Sequence, residues 1–175
     1  MTFTETPLAG AFLIELELHK DERGFFARTF CRREFEAHGL NPDVVQCNTS
    51  YNHKAGTIRG MHRQKPPARE AKLVRCVRGA IYDVIVDVRP KSPTYGKHFA
   101  AELTADNRRA LYVPESFAHG FQTLEDNCEI EYQMSEYHSP GSATGYRYDD
   151  AALAITWPLP VTLISALDLA WPSFF

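Results

Sequence analysis

Arg59, His62 and Lys72 lie near one another in the chain and could together bind anions and transfer protons. Histidine titrates near neutral pH and can act as a general base, whereas arginine and lysine bind oxyanions. In alternating strands these three side chains could converge on the interior of one barrel. Charges that point into a small barrel need a ligand or a partner to offset their desolvation. The sequence therefore predicts a ligand-binding interior.

Two further clusters combine polar and aromatic residues. The first is the segment 21–26, DERGFF, which by itself is typical of a surface hairpin with glycine at the bend. The second surrounds His119 and is followed by Tyr132 and Tyr137. A single histidine in an apolar strand is more often a core residue than a catalyst, and an aromatic residue is as consistent with barrel core as with a site. Neither cluster identifies a function alone.

A metal centre is not favoured by the spacing of the histidines. His62 is followed two residues later by Gln64 instead of a second histidine, and Lys72 would place a positive charge where a metal ion should lie. The remaining histidines also lack ligand spacing: His19, His38, His53, His98 and His138. We therefore expect no metal and no other cofactor.

Short strands predominate among the predicted elements. Apolar residues separated by turn formers predict strands over residues 10–18, 72–77, 80–88, 99–103, 110–113, 120–123 and 129–134. The pattern of residues 32–38, which are followed by Gly39 as a helix stop, predicts one short helix. Many short strands with one or two helices favour an all-β sandwich or barrel, most commonly a jelly roll.

Composition and charge exclude several classes of protein. Hydrophobic residues make up 44% and charged residues 23% of the chain, which is ordinary for a globular protein, and the formal charge of −3 gives no indication of nucleic-acid binding. Neither a secretory leader nor a run of about 18 apolar residues is found, which predicts a cytoplasmic protein with no membrane span. With no linker or repeat, residues 1–175 are expected to form one domain, and the four scattered cysteines are expected to be reduced.

The sequence resembles the dTDP-4-dehydrorhamnose 3,5-epimerases over nearly its whole length. The matching residues are Asp21, Arg23, Gly24, Phe26, Gln46, Asn48, Ser50, Arg59, Gly60, His62, Gln64, Lys72, Leu73, Val74, Asp83, Val84, Asp87, Arg89, Ser92, Pro93, Thr94, Gly96, Pro114, Phe117, Ala118, His119, Gly120, Phe121, Tyr132, Tyr137, Asp149, Trp157, Pro158, Ser165 and Asp168. This resemblance implies a cupin-type jelly-roll barrel with a few short helices. It also implies a homodimer whose N-terminal strands are exchanged or packed across the interface.

The resemblance assigns a role to each residue that would carry the chemistry. A 4-keto group makes the hydrogens at C3 and C5 of a sugar acidic, so the reaction needs a base, stabilisation of the enolate and an acid on the opposite face. The resemblance implies that His62 is the base and that Asp168 orients the His62 imidazole. Lys72 would stabilise the enolate oxygen, and Tyr132 would return a proton from the other face.

The resemblance also implies how a nucleotide-linked keto sugar would bind. Arg23 and Arg59 match a diphosphate clamp, because guanidinium groups form paired hydrogen bonds with phosphate oxygens. Gln46, Asn48 and His119 would hydrogen-bond the nucleotide or the sugar. Phe26 and Tyr137 would offer apolar surface beside it.

Three residues depart from the family pattern on the nucleotide side. Arg28 and Ala143 stand where the family commonly has glutamate, and Leu167 stands where it has lysine. Arg28 is still counted among the residues expected to contact substrate. Two alternatives to the 3,5-epimerase stay open, and these departures support the first of them. One is a mono-epimerase or isomerase acting on another sugar or carrier base, and the other is a non-catalytic cupin that binds a sugar or a nucleotide.

Overall fold

The computed structural model describes residues 1–175 and consists mainly of antiparallel strands. Two short α-helices, α1 (Arg32–Ala37) and α2 (Ala166–Leu169), and a 3₁₀ turn (Pro140–Ser142) complete it. No helix is long and apolar enough to cross a membrane. The strands are β1 (Thr2–Glu5), β2 (Phe12–Glu15), β3 (His19–Asp21), β4 (Gly24–Phe26), β5 (Gln46–Asn52), β6 (Ile58–Gln64), β7 (Lys72–Arg78), β8 (Ala80–Asp87), β9 (His98–Thr104), β10 (Ala110–Val113), β11 (Phe117–Thr123), β12 (Cys128–Met134) and β13 (Ala143–Gly145).

Two large sheets face each other and form the barrel. One has six strands in the order β1-β2-β10-β7-β12-β5, and the other has five in the order β13-β6-β11-β8-β9. Strands β3 and β4 form a separate hairpin. Every neighbouring pair of strands is antiparallel, and chain neighbours are often separated in the sheets, as a jelly roll requires. The predicted all-β jelly roll is confirmed.

Apolar side chains fill the space between the sheets and also cover their outer faces. Val74 of the larger sheet and Ile85 and Phe121 of the smaller one belong to the central cluster of 13 buried residues. Phe35 of α1 packs on the outside of the larger sheet, and Leu153 packs on the outside of the smaller one. Because β11 is covered on both faces, all seven of its residues are buried. Its sequence, FAHGFQT, accordingly shows no regular alternation of apolar and polar residues.

The predicted elements agree with the structure, with end positions that differ by a few residues. The predicted strand 110–113 coincides with β10, and the predicted helix 32–38 corresponds to α1, after which Gly39 adopts a φ of +68°. Segment 21–26 lies in the β3–β4 hairpin and its turn. Strands β1, β5, β6 and β13 and helix α2 were not predicted. Strand β5 has the sequence QCNTSYN, whose polar residues conceal the strand pattern.

An irregularity in the pairing of β6 with β11 determines which way the polar side chains of β6 point. His119 pairs with His62, but Phe121 pairs with Arg59, so β6 contains one extra residue at this point. In a regular strand, residues three apart point to opposite faces. The extra residue lets Arg59 and His62 both face the barrel interior, whereas Met61 packs into the outer cluster.

Gly60 makes this irregular pairing possible. Its φ of +141° is rare for any other residue, and a Cβ added to it would lie 2.6 Å from the Cα of Gly120. Strands β6 and β11 therefore approach each other more closely here than side chains would allow.

Gly60→Ala should lower the free energy of unfolding by about 3 kcal/mol or more, because it combines backbone strain with this clash. Gly24→Ala is the matched control, since Gly24 has a φ of +129° but no neighbouring atom within 4 Å of an added Cβ. The control should lose only about 1–2 kcal/mol. Urea unfolding of the two variants measures the difference. Equal losses would show that the close contact with Gly120 does not constrain the strand pairing.

Candidate active site

His62 and Asp168 form a short polar contact in the barrel interior. His62 Nε2 lies 2.6 Å from Asp168 Oδ1, although the two residues are 106 positions apart in the chain. An ionised carboxylate can only accept, so the imidazole donates through Nε2–H, and in the neutral tautomer that does so the lone pair is on Nδ1. The side chain of His62 is 41% exposed, whereas that of Asp168 is 5% exposed. The histidine can therefore reach a ligand while the aspartate stays behind it.

Asp168 is fixed by a short C-terminal helix and by three donors. Ser165 caps α2 by accepting a hydrogen bond from the backbone N–H of Asp168, at 3.0 Å. Trp171 Nε1 donates to Oδ1 at 3.2 Å, and the backbone N–H of Gly60 donates to Oδ2 at 3.3 Å. Burial alone would raise the pKa of Asp168, but the hydrogen bond and charge of His62, with the other two donors, lower it below 3.8. The carboxylate is ionised at neutral pH.

Tyr132 lies on β12 of the larger sheet, across the interior from His62 on β6 of the smaller one. Its hydroxyl is 3.0 Å from the Ser50 hydroxyl of the neighbouring strand. Burial raises the pKa of Tyr132 strongly, and the hydrogen bond between its hydroxyl and that of Ser50 only partly opposes this shift. The phenol is therefore protonated at neutral pH and has a proton to donate.

Three cavities meet at His62, and they have volumes of about 520, 410 and 280 Å³. The first is within the size range of small-molecule sites. Lys72 lines the largest and the smallest, and its Nζ lies 3.0 Å from Glu70 Oε1. The smallest contains the predicted base and acid together, because it is lined by both His62 and Tyr132.

A second histidine–aspartate pair lies beside the first. His119 Nε2 is 2.7 Å from Asp83 Oδ1, and both residues are buried. The His119 ring meets that of Tyr132 edge-on, with 6.3 Å between the centroids. His119 is thus held in the wall of the smallest cavity, next to Tyr132. No group of three or more His, Cys, Asp or Glu residues is arranged to hold a metal ion.

The predicted binding residues Arg59, Gln46 and Asn48 also line these cavities. Arg59 Nε donates to Asn52 Oδ1 at 2.7 Å, which directs its guanidinium along the wall. Gln46 donates to Asn48 Oδ1 at 3.0 Å on β5, at the edge of the larger sheet. All three line at least one of the cavities at His62, which gives the interior donors and a positive charge for an anionic ligand.

Four predicted binding residues lie outside this interior in the single chain. Arg23 and Phe26 are on the β3–β4 hairpin, where Arg23 pairs with Asp21 and Phe26 is 75% exposed. Arg28 pairs with Glu34 of α1 at 2.7 Å. Tyr137 is 63% exposed in the loop after β12. None of the four lines the cavities at His62.

Sequence reasoning assigned no role to the residues that support the site. Trp171, Glu70 and Asp83 each contact a predicted catalytic or binding residue, but their roles depend on contacts between distant segments. One signal was available for α2. Ser165 and Asp168 have the S-x-x-D spacing that marks the start of a helix.

Comparison with known proteins gives consistent matches. A family model described as dTDP-4-dehydrorhamnose 3,5-epimerase matches residues 5–175. The dTDP-4-dehydrorhamnose 3,5-epimerase of Methanothermobacter thermautotrophicus is 42% identical over 174 residues, which cover 97% of this chain and 92% of the relative. The crystal structure of the Bacillus anthracis protein of the same name, with TDP and PPi bound, has a TM-score of 0.95 at 42% identity and covers 99% of both chains. A 3'-monoepimerase from Streptomyces bikiniensis, in complex with dTDP-quinovose, has a TM-score of 0.88 at 32% identity, covering 96% of this chain and 85% of its own.

The antiparallel barrel defines a cupin-type protein, and its interior holds titratable side chains that line shared cavities. The chain belongs to the dTDP-4-dehydrorhamnose 3,5-epimerase family, which is a family of isomerases. The resemblance inferred from the sequence, the cupin-type fold and the class of enzyme are confirmed.

Asp168→Asn should destabilise the protein at pH 5 by about 1–2 kcal/mol, because the amide is a weaker acceptor for three donors. The pKa of Asp168 is lower in the folded chain than its ordinary value of 3.8. Its charge therefore stabilises the fold above that value, and this contribution is lost as the pH falls through the lower folded pKa. Urea unfolding between pH 5 and pH 2 should show the gap between wild type and variant closing. A gap that stays constant would mean that the Asp168 charge does not stabilise the fold.

Proposed function

We propose that this chain inverts C3 and C5 of a dTDP-linked 4-keto-6-deoxy sugar, with its own side chains supplying the base, the acid and the enolate stabilisation. The observation that carries the proposal is the placement of His62, backed by Asp168, on one sheet and Tyr132 on the facing sheet, with both lining one cavity. A sugar ring between them would meet a base on one face and an acid on the other.

Proton removal is the first step. His62 Nδ1 takes the proton from carbon, the electrons of the C–H bond form the enolate, and negative charge develops on the C4 oxygen. Asp168 stabilises the imidazolium that results, because its carboxylate is ionised and in contact with Nε2. The Lys72 ammonium is placed in the same cavity to stabilise the enolate oxygen.

Proton return from the other face completes the inversion. Tyr132 donates its phenolic proton to the enolate carbon, and the carbonyl re-forms as the charge leaves the oxygen. Burial raises the pKa of Tyr132 and so keeps this proton in place until an enolate, which is a stronger base than phenolate, is formed. The Ser50 hydroxyl and the positive charge of Arg59 stabilise the phenolate that results.

The carrier nucleotide is proposed from the relatives and from the charges of the site. The Bacillus anthracis structure contains TDP and PPi, and Arg59 supplies a guanidinium at the cavity for a diphosphate. A mono-epimerase is the second candidate, supported by the similarity to the Streptomyces bikiniensis 3'-monoepimerase. The number of carbons that exchange hydrogen with solvent distinguishes these two.

We further propose a homodimer in which the β3–β4 hairpin completes the partner's site. The hairpin projects Phe26, 75% exposed, and the Arg23 side chain, 90% exposed. An exposed aromatic residue beside an arginine suits a protein or nucleotide contact better than water. A single domain over residues 1–175, a cytoplasmic location and the substrate contacts of Arg28 and Tyr137 stay predictions.

His62→Asn and Tyr132→Phe should separate removal of the proton from its return. In deuterium oxide with dTDP-4-keto-6-deoxyglucose, His62→Asn should lose both exchange and inversion, since the base is gone. Tyr132→Phe should continue to exchange at C3 or C5 but yield little inverted product, because His62 and Lys72 remain. NMR of recovered substrate and product measures both processes. The rate of inversion should fall roughly 10²–10⁴-fold in each variant, and the rate of exchange should fall by a similar factor only in His62→Asn.

Wild-type enzyme, which should couple exchange to inversion at both carbons, is the control. Exchange near the wild-type rate in His62→Asn would remove His62 as the base. Inversion at the wild-type rate in Tyr132→Phe would show that another group returns the proton.

Arg23→Ala and His62→Asn should complement each other in mixed dimers. Each variant alone should have low epimerase activity, because each lacks one part of every site. If Arg23 acts in the partner's site, a mixed dimer contains one intact site, and equal co-expression should restore roughly a quarter of wild-type activity. If Arg23 acts only within its own chain, co-expression restores nothing, and the proposed arrangement is wrong.

A further inference from the structure

Lys72 does not stand alone in the cavity wall, because it forms a buried ion pair with Glu70. The distance from Nζ to Oε1 is 3.0 Å, and both side chains are more than nine-tenths buried. Glu70 also lines the 520 Å³ cavity, so its charge lies beside the group that is proposed to stabilise the enolate.

The Glu70 carboxylate is held in turn by Gln64 of β6. Gln64 Nε2 donates to Glu70 Oε2 at 2.9 Å, and the same nitrogen lies 3.1 Å from the Ala68 carbonyl oxygen and 3.2 Å from that of Tyr137. Gln64 Oε1 accepts from the backbone N–H of Ser139 at 2.6 Å. One buried amide therefore fixes the carboxylate against two loops.

The physical chemistry of buried charges makes this arrangement informative. An ammonium on a flexible four-carbon stem has no fixed direction unless a partner holds it. Removing one member of a buried pair leaves a costly unpaired charge, which the lysine side chain relieves by moving toward water. An ammonium has three donors, so a lysine held by one carboxylate oxygen keeps donors for an oxygen of a molecule in the cavity.

We propose that Glu70 is a positioning residue for the epimerisation, because it holds the Lys72 ammonium at the cavity wall where the enolate oxygen develops. The inference rests on the proposed function and adds to it a residue that acts only through Lys72. Gln64 keeps Glu70 in place. The pair is balanced in charge before reaction, and the ammonium is already aimed when the oxygen becomes negative.

A double-mutant cycle in kcat/KM tests this role. Glu70→Gln preserves the shape of the side chain and removes its charge, and it should lower kcat/KM by roughly 10- to 100-fold, mainly through kcat. In a Lys72→Met background the same change should alter the rate by less than roughly two-fold, since there is no ammonium left to position. Glu15→Gln is the control, because it removes a carboxylate from the remote Arg109 pair and should leave activity unchanged.

The outcomes distinguish this inference from the proposed function itself. Inactive wild-type enzyme would contradict the function, whereas an active wild type with an unaffected Glu70→Gln variant would contradict only the role of Glu70. Equal losses with and without Lys72 would show that Glu70 acts by another route. If Glu70→Gln does not fold, Glu70→Asp replaces it in the cycle. It keeps the charge, shortens the reach, and should again lower kcat/KM only when Lys72 is present.

Discussion

The extra residue in β6 is the constraint on which the site depends. Arg59 and His62 are three positions apart, so a regular strand would send one of them away from the interior. The irregular pairing with β11, made possible by Gly60, turns both inward. It also places the Gly60 nitrogen 3.3 Å from Asp168 Oδ2, so the same distortion that turns His62 inward helps to fix the carboxylate behind it.

The two facing sheets place reactive side chains on opposite sides of the interior, which is what inversion of a carbon centre requires. The proposed base is carried by the smaller sheet and the proposed acid by the larger one, so a ring bound between them would be approached from both faces. The polar end of the barrel interior buries little apolar surface. The fold buries its apolar side chains instead in the central cluster around Ile85 and Phe121 and in the two outer clusters. Each buried carboxylate of the site accordingly has a partner: Asp168 has His62, Glu70 has Lys72, and Asp83 has His119.

Most of the fold could be predicted from the sequence, as could a set of polar residues that the structure brings together in the interior, but the contacts that support them could not. Apolar strands such as β8 and β10 have a pattern that local reasoning detects, whereas β5 presents polar residues to the site and so loses that pattern. The distortion in β6 was hidden because register depends on the partner strand. Trp171 and Glu70 act through contacts across the fold, which spacing alone does not reveal.

A crystal structure of the protein with a dTDP-linked 4-keto sugar would test the central claim most directly. The account predicts that the ring lies between the two sheets, with His62 Nδ1 and the Tyr132 hydroxyl on opposite faces, each within roughly 3.5 Å of the ring carbon on which it acts. The C4 oxygen should point to the Lys72 ammonium. A ring with both groups on the same face, or one bound outside the interior, would contradict the account.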